Sequence, residues 1–335
     1  MLCLLVQNAA TATNETSCAS SSLPLHIGVV NTQVRAASYA VRGRLLDRAS
    51  EIEQQLKVGA ELPFSRIVKC NIGNPQALGQ KPLSFVRRTL SLMMNPELLE
   101  APLLPSYPVD VVERAKEYIG AVPSVGAYSD SQGVALIREH VAQFIAERDG
   151  HPADAKDIFL TDGASAGVKA LMQLMIRGPH DAVLAPIPQY PLYSAVTTLL
   201  NGTLSGYFLD EASSWGVVEP ELRRALQHAR DGGAAARALV VINPGNPTGQ
   251  SLPKAVVQMI LRFAAAEGLV LMADEVYQEN VYGEAPPFFS FKAALVGLRQ
   301  AGENGDAEAA ALAARAQLIS FHSTSKGFIG AACPR

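Results

Sequence analysis

The chain has 335 residues, 48% of them hydrophobic and 18% charged, with a net charge of −3 at pH 7. That composition suits a globular protein with one large α/β domain and part of a second, and it argues against a disordered chain. With 28 basic against 31 acidic residues, no positive excess invites nucleic acid or anionic lipid.

No apolar run reaches the roughly 18 residues that a membrane span needs. Residues 256–272, for example, are interrupted by Arg262 and Glu267. Cys3, Cys18, Cys70 and Cys333 form no C-x-x-C pair and the histidines no H-x-x-x-H pair. Free thiols in a reducing compartment are therefore expected, with no metal site. Residues 1–34 carry one acid, Glu15, and no Lys or Arg. They lack the basic start of a secretory signal and the arginines of a transit peptide, and residues 1–6 are too short for a signal core. A disordered leader on a cytoplasmic protein is the expectation, with a weak mitochondrial or peroxisomal signal the alternative.

Taken in order, residues 37–56 place Leu45, Leu46, Ala49 and Ile52 at helical spacing. A short strand at Ile67 and Val68 runs into a Gly/Pro/Asn turn. Residues 131–148 line up Val134, Ile137, Val141, Phe144 and Ile145 on one helical face, closed by Asp149-Gly150. Strands are then predicted at DIFL, DAVLAPIP, ARALVVINP, LVLMADEVY and QLISFHSTSK. Helices are predicted at GASAGVKALMQLMIRG, YPLYSAVTTLLNG and KAVVQMILRFAAAEG. Such alternation gives a mostly parallel sheet with helices on both faces. Residues 300–316, rich in Ala, Gly and acids, read as a solvated loop or marginal helix.

Ligands of open α/β sheets gather at the carboxyl ends of strands, and the unusual polar groups fall there. Gly163-Ala164-Ser165 opens a helix, whose backbone N–H groups suit a phosphate. Asn246 follows ALVVINP, Asp274 and Tyr277 end LVLMADEVY, and Ser323, Ser325 and Lys326 end the last strand. Singly, each is what a cap, a turn or a solvated charge supplies. Together they form an anion cradle, a carboxylate, phenol and amide donors, and an amine. No G-x-G-x-x-G follows a strand, which sets a nucleotide-dependent dehydrogenase aside.

INPGNPTGQ, LMADEVYQENVY and HSTSKG, in that order, resemble the signature of fold-type I aminotransferases that use pyridoxal 5'-phosphate (PLP). GAYSDSQG, LTDGASAGV and PIPQYPLYSA narrow the likeness to the alanine aminotransferase subgroup, with glutamate:glyoxylate aminotransferase a close relative. The likeness covers about residues 35–330. It implies the PLP-dependent transferase fold type I, an α/β fold with a mostly parallel sheet and a small domain only partly present. Residues 1–34 would be the leader, 35–110 an N-terminal arm and part of the small domain, and 111–335 the large PLP-binding domain.

The resemblance also implies roles. Lys326 would carry the cofactor as a Schiff base and shuttle the proton at the substrate Cα, with a pKa lowered beside a cationic pyridinium. Asp274 would pair with the pyridine nitrogen, Tyr277 and Asn246 would bind the phenolic oxygen, and Tyr190 would stack on the ring. Ala164, Ser165, Ser323 and Ser325 would bind the phosphate. Tyr128 would reach the phosphate in a neighbouring subunit of a homodimer, and Gly73 would admit a substrate carboxylate. The implied activity converts L-alanine and 2-oxoglutarate to pyruvate and L-glutamate in two half-reactions. Alternatives are glutamate:glyoxylate transamination, or a truncated and inactive PLP-binding protein.

After Gly327 the chain reads FIGAACPR, a departure from the family, although Arg335 stands at the spacing of a phosphate-binding arginine. The C-terminal part of the small domain, with its arginine for the substrate α-carboxylate, has no counterpart. Reduced catalysis by the chain alone is therefore expected.

Overall fold

The structure is a computed structural model that describes residues 27–39, 43–70, 72–102, 104–122 and 124–327. From residue 181 onward, apolar strands alternate with helices. Strands β1 (Asp181–Ile187), β2 (Thr203–Phe208), β3 (Ala235–Ile242), β4 (Val270–Asp274) and β5 (Gln317–Phe321) form one sheet in the order β2-β1-β3-β4-β5. Every pairing is parallel. Helices precede and link them: α1 (Thr32–Ala36), α2 (Arg44–Lys57), α3 (Ser84–Met94), α4 (Val109–Ala121), α5 (Ala135–Asp149), α6 (Ala164–Met175), α7 (Leu192–Leu199), α8 (Glu219–Asp231), α9 (Lys254–Glu267), α10 (Phe291–Glu303) and α11 (Ala307–Arg315).

The period-2 geometry of strands divides the core in two. Leu184, Leu239, Val241, Leu271 and Ala273 point to the face covered by α8, α9, α10 and α11. Val183, Ala185, Val240, Ile242 and Met272 point to the opposite face, under α6 and α7. Each fully buried aliphatic side chain contributes about 1.5–3 kcal/mol, so this three-layer stack holds the carboxyl ends of the strands in place. Strand order reverses between β1 and β3, since the chain passes from β1 outward to β2 and then across to β3. Such a switch point opens a crevice at the carboxyl edge.

Several expectations are corrected. DIFL is extended but joins no sheet. Leu160 N–H bonds Gln132 O at 2.8 Å, Phe159 is exposed, and no described strand lies beside it to complete a ladder. Ile67 and Val68 likewise form no strand, and Val68 is exposed. The helix of 131–148 exists as α5, yet its buried residues are Arg138 and Ala142 while Phe144 is exposed. Arg138 is tolerated there because its guanidinium donates to Gly133 O and Ala155 O at 3.1 and 2.9 Å. Residues 300–316 are the end of α10 and all of α11, packed on α9 with Ala309 fully buried.

The helix read at 37–56 is α2, which begins at Arg44 and buries no residue. Within the segment expected to be a disordered leader, residues 32–34 belong to α1, which packs on α7. Residues 1–26 lie outside the described residues, as do Cys3, Cys18 and Cys333, and Cys70 is an exposed free thiol. No helix among the described residues is long and apolar enough to cross a membrane.

Candidate active site

Asp274 ends β4 in register with Ile242 of β3 and Phe321 of β5. Two residues after Met272, it faces α6 and α7, while its neighbour Glu275 faces the other layer. Asp274 is only 5% exposed. Its Oδ2 accepts a 2.6 Å hydrogen bond from Tyr193 Oη of α7, and its Oδ1 has a long 3.4 Å contact from Val276 N–H. Burial pushes its pKa up, against the pull of the Tyr193 bond, the Val276 N–H and the charge of Lys326. Among the described residues, no cation is in hydrogen-bonding contact with this buried carboxyl.

The surrounding strand ends bring the other groups in. Lys326 Nζ stands 5.4 Å from the centre of the Tyr277 ring. Tyr277 Oη accepts from Asn246 Nδ2 at 3.4 Å, and burial, then Asp274 and Tyr190, raise its pKa. The loop before Lys326 is held by its serines. Ser323 Oγ and Ser325 Oγ are 2.7 Å apart, and Ser325 N–H donates to Ser323 Oγ at 3.2 Å. Past it, Gly327 N–H donates to Asn280 Oδ1 at 3.0 Å.

Helix α6 begins at Ala164 after Gly163, whose φ of +74° is available to glycine without strain. No side chain caps this end and no acid occupies its first turn. The N–H groups of Ala164 and Ser165 therefore have neither an intrahelical acceptor nor a carboxylate competitor. Tyr190, half-buried just before α7, accepts from Tyr39 Oη at 2.6 Å, with the two rings edge to face at 6.2 Å.

Two expected residues are exposed and a third is not described. Tyr128 is fully exposed. Gly73 is exposed, and a Cβ there would meet nothing within 4 Å, so no close backbone approach requires a glycine in this chain. Arg335 lies outside the described residues.

Sequence reasoning missed Tyr193 and Tyr39. A second tyrosine one helical turn after Tyr190 was the available signal for the first. It also missed a polar cluster beneath the Lys326 loop. Arg148 pairs with Asp149 at 2.8 Å and with Gln278, and Gln278 Nε2 is 3.1 Å from His322 Nε2. Glu275 Oε1 accepts from Phe291 N–H at 2.8 Å, and burial pushes this carboxyl up to about 7.

The model of the family described as aminotransferase class I and II matches residues 102–333. The chain belongs to the class I and II aminotransferases. It is 47% identical to "Alanine aminotransferase 1, mitochondrial" of Arabidopsis thaliana over 315 residues, 93% of this chain and 56% of that protein. It is 46% identical to "Glutamate--glyoxylate aminotransferase 2" of the same plant over 303 residues, 90% of this chain and 59% of that one. The chain thus spans a little over half the length of these curated relatives. A solved aminotransferase from Escherichia coli superposes with a TM-score of 0.60 at 23% identity, covering 85% of this chain and 65% of that one, and shares the fold.

Pyridoxal phosphate is the cofactor of this family, and the residues present fit it. The uncapped start of α6 and the Ser323–Ser325 pair suit a phosphate. Asp274, buried and with no cation bonded to it among the described residues, suits a protonated ring nitrogen, and Lys326 offers an amine.

Proposed function

We propose that this chain is the cofactor-binding part of an aminotransferase that moves the amino group of L-alanine to 2-oxoglutarate, giving pyruvate and L-glutamate. The observation that carries the reading is Asp274: 5% exposed, held by a neutral phenol at 2.6 Å and, among the described residues, with no cation in hydrogen-bonding contact. A carboxyl so placed is costly unless a cation arrives to pair with it.

In this reading Lys326 holds the cofactor covalently and, once released, takes and returns the proton at the substrate Cα. When bound, pyridoxal phosphate would supply an electron-pair sink for that carbon. Asp274 keeps the ring nitrogen protonated, and Tyr277 with Asn246 donates to the ring oxygen. The backbone at Ala164 and Ser165, with Ser323 and Ser325, anchors the phosphate, and Tyr190 lies against the ring. Arg335 and Gly73 complete the proposed phosphate and carboxylate contacts. The full exposure of Tyr128 supports its reaching a second subunit of a homodimer. The proposal includes residues 111–335 as the large domain, 35–110 as arm and partial small domain, and a cytoplasmic location that fractionation would check.

Glutamate:glyoxylate transamination is the second reading, supported by near-equal identity to relatives of both names. Purified protein given L-alanine with 2-oxoglutarate should form pyruvate and L-glutamate in equal amounts. Faster turnover of L-glutamate with glyoxylate would move the assignment to the second reading. No amino transfer from either pair, with cofactor bound, by this chain or by one extended with a relative's C-terminal lobe would leave a PLP-binding protein and refute the activity.

A further inference from the structure

Buried carboxylates are usually held by arginine, lysine or several backbone N–H groups. Asp274 is held by a tyrosine. Tyr193 is 0% exposed and lies on α7, over the strand ends. Its hydroxyl donates to Asp274 Oδ2 at 2.6 Å. The phenol's pKa lies well above its ordinary value because of burial and the neighbouring carboxylate. It therefore stays protonated and acts as a fixed donor. With Oδ2 engaged, Oδ1 has only the 3.4 Å contact from Val276 N–H and is the oxygen open to a further donor.

A resident cation would have oriented the carboxylate and cancelled its charge together. A neutral phenol orients it and leaves the charge for the ligand. We propose that Tyr193 is a positioning residue that holds Asp274 ionised, with one oxygen presented to the protonated ring nitrogen of the cofactor. The inference rests on the reading of Asp274 given above.

The test is a thermodynamic cycle on PLP affinity, read by absorbance titration of the full chain with Tyr193→Phe, Asp274→Ala and the double variant. Tyr193→Phe should weaken binding about tenfold or more, the scale of a hydrogen bond to a charged group. On the Asp274→Ala background its effect should shrink to within about twofold, because the two residues act as a unit. An equal loss on both backgrounds would mean that Tyr193 is only a packing residue and would overturn the proposal. If Asp274→Ala weakens binding while Tyr193→Phe does not, the inference about Tyr193 alone is wrong. If Asp274→Ala leaves binding unchanged, the reading of the site fails and the inference falls with it.

A second measurement needs no cofactor. The infrared band of the protonated Asp274 carboxyl, identified by its loss in Asp274→Ala, should persist to higher pH in Tyr193→Phe. Should that variant fail to fold, 3-fluorotyrosine at position 193 is a stronger donor of nearly the same shape and should lower the band's midpoint. A midpoint that does not move overturns the proposal.

Discussion

Two aspartates on the same face of one sheet stand at its opposite ends. Asp181 opens β1 at the amino edge and is 2% exposed. The Arg177 guanidinium grips both its oxygens, at 2.9 and 3.0 Å, the Arg177 backbone N–H adds a bond at 3.0 Å, and Arg237 adds a fourth at 2.6 Å. Those partners, led by the Arg177 hydrogen bond, hold its pKa well below the usual carboxylate range. Asp274 closes β4 at the carboxyl edge, equally buried, and is met by a phenol and a distant amide. Its pKa moves the other way. The same residue type in the same sheet is bonded to two arginines at one end and, among the described residues, to no cation at the other. A buried carboxylate paired with arginine marks structure, and one with no cation bonded to it marks a candidate ligand site.

The largest effect should come from removing the waiting charge. Asp274→Ala should slow the half-reaction with L-alanine by on the order of 10³-fold, measured by stopped-flow absorbance on cofactor-loaded protein. A rate within tenfold of the parent would make Asp274 structural and erase the contrast with Asp181.

Next is Glu275, which faces the other layer beside Arg148, Asp149 and Ser320. Its folded pKa, about 7, lies above its ordinary 4.5, so the folded state keeps a proton that the unfolded chain has released. Its contribution to stability is then largest below pH 4.5 and is lost as pH rises toward about 7, by up to about 1.4 kcal/mol per pH unit. Glu275→Gln keeps an acceptor for Phe291 N–H and should flatten that part of the profile in urea titrations. An unchanged slope would place the proton elsewhere.

Much of the fold is legible in the amino-acid sequence alone. β1, β3, β4 and β5 were legible because each is a short apolar run between turn residues. Asp274, Tyr277, Asn246 and Lys326 were legible because each follows such a run. β2 was not, because TLSGYF lies at the sheet edge, where a mixed pattern of exposure suffices. α8 hides its Leu222, Ala225, Leu226 and Ala229 stripe among charges. The buried side of α5 depends on Arg138 finding two carbonyls, which no periodicity reveals. Tyr193 needed the sheet itself, since its bond to Asp274 spans 81 residues.

A smaller effect is expected at the phosphate side. Ser323→Ala with Ser325→Ala should lower PLP affinity about tenfold, the loss of one or two modest hydrogen bonds, by equilibrium titration. No change would leave the α6 terminus as the whole cradle. At the amino edge, Asp181→Asn should leave PLP affinity within about twofold while lowering the thermal midpoint near neutral pH. The parent's advantage should fade as pH falls below 3.8, because the stabilising form of Asp181 is the ionised one. A large affinity loss in Asp181→Asn would show that the two ends of the sheet are coupled.

The account stands most directly on Lys326. PLP-loaded protein reduced with borohydride and digested should carry the cofactor on a single peptide, the one containing Lys326, and Lys326→Ala should carry none. Label on another lysine, with Lys326 unmodified, would contradict the assignment of the site.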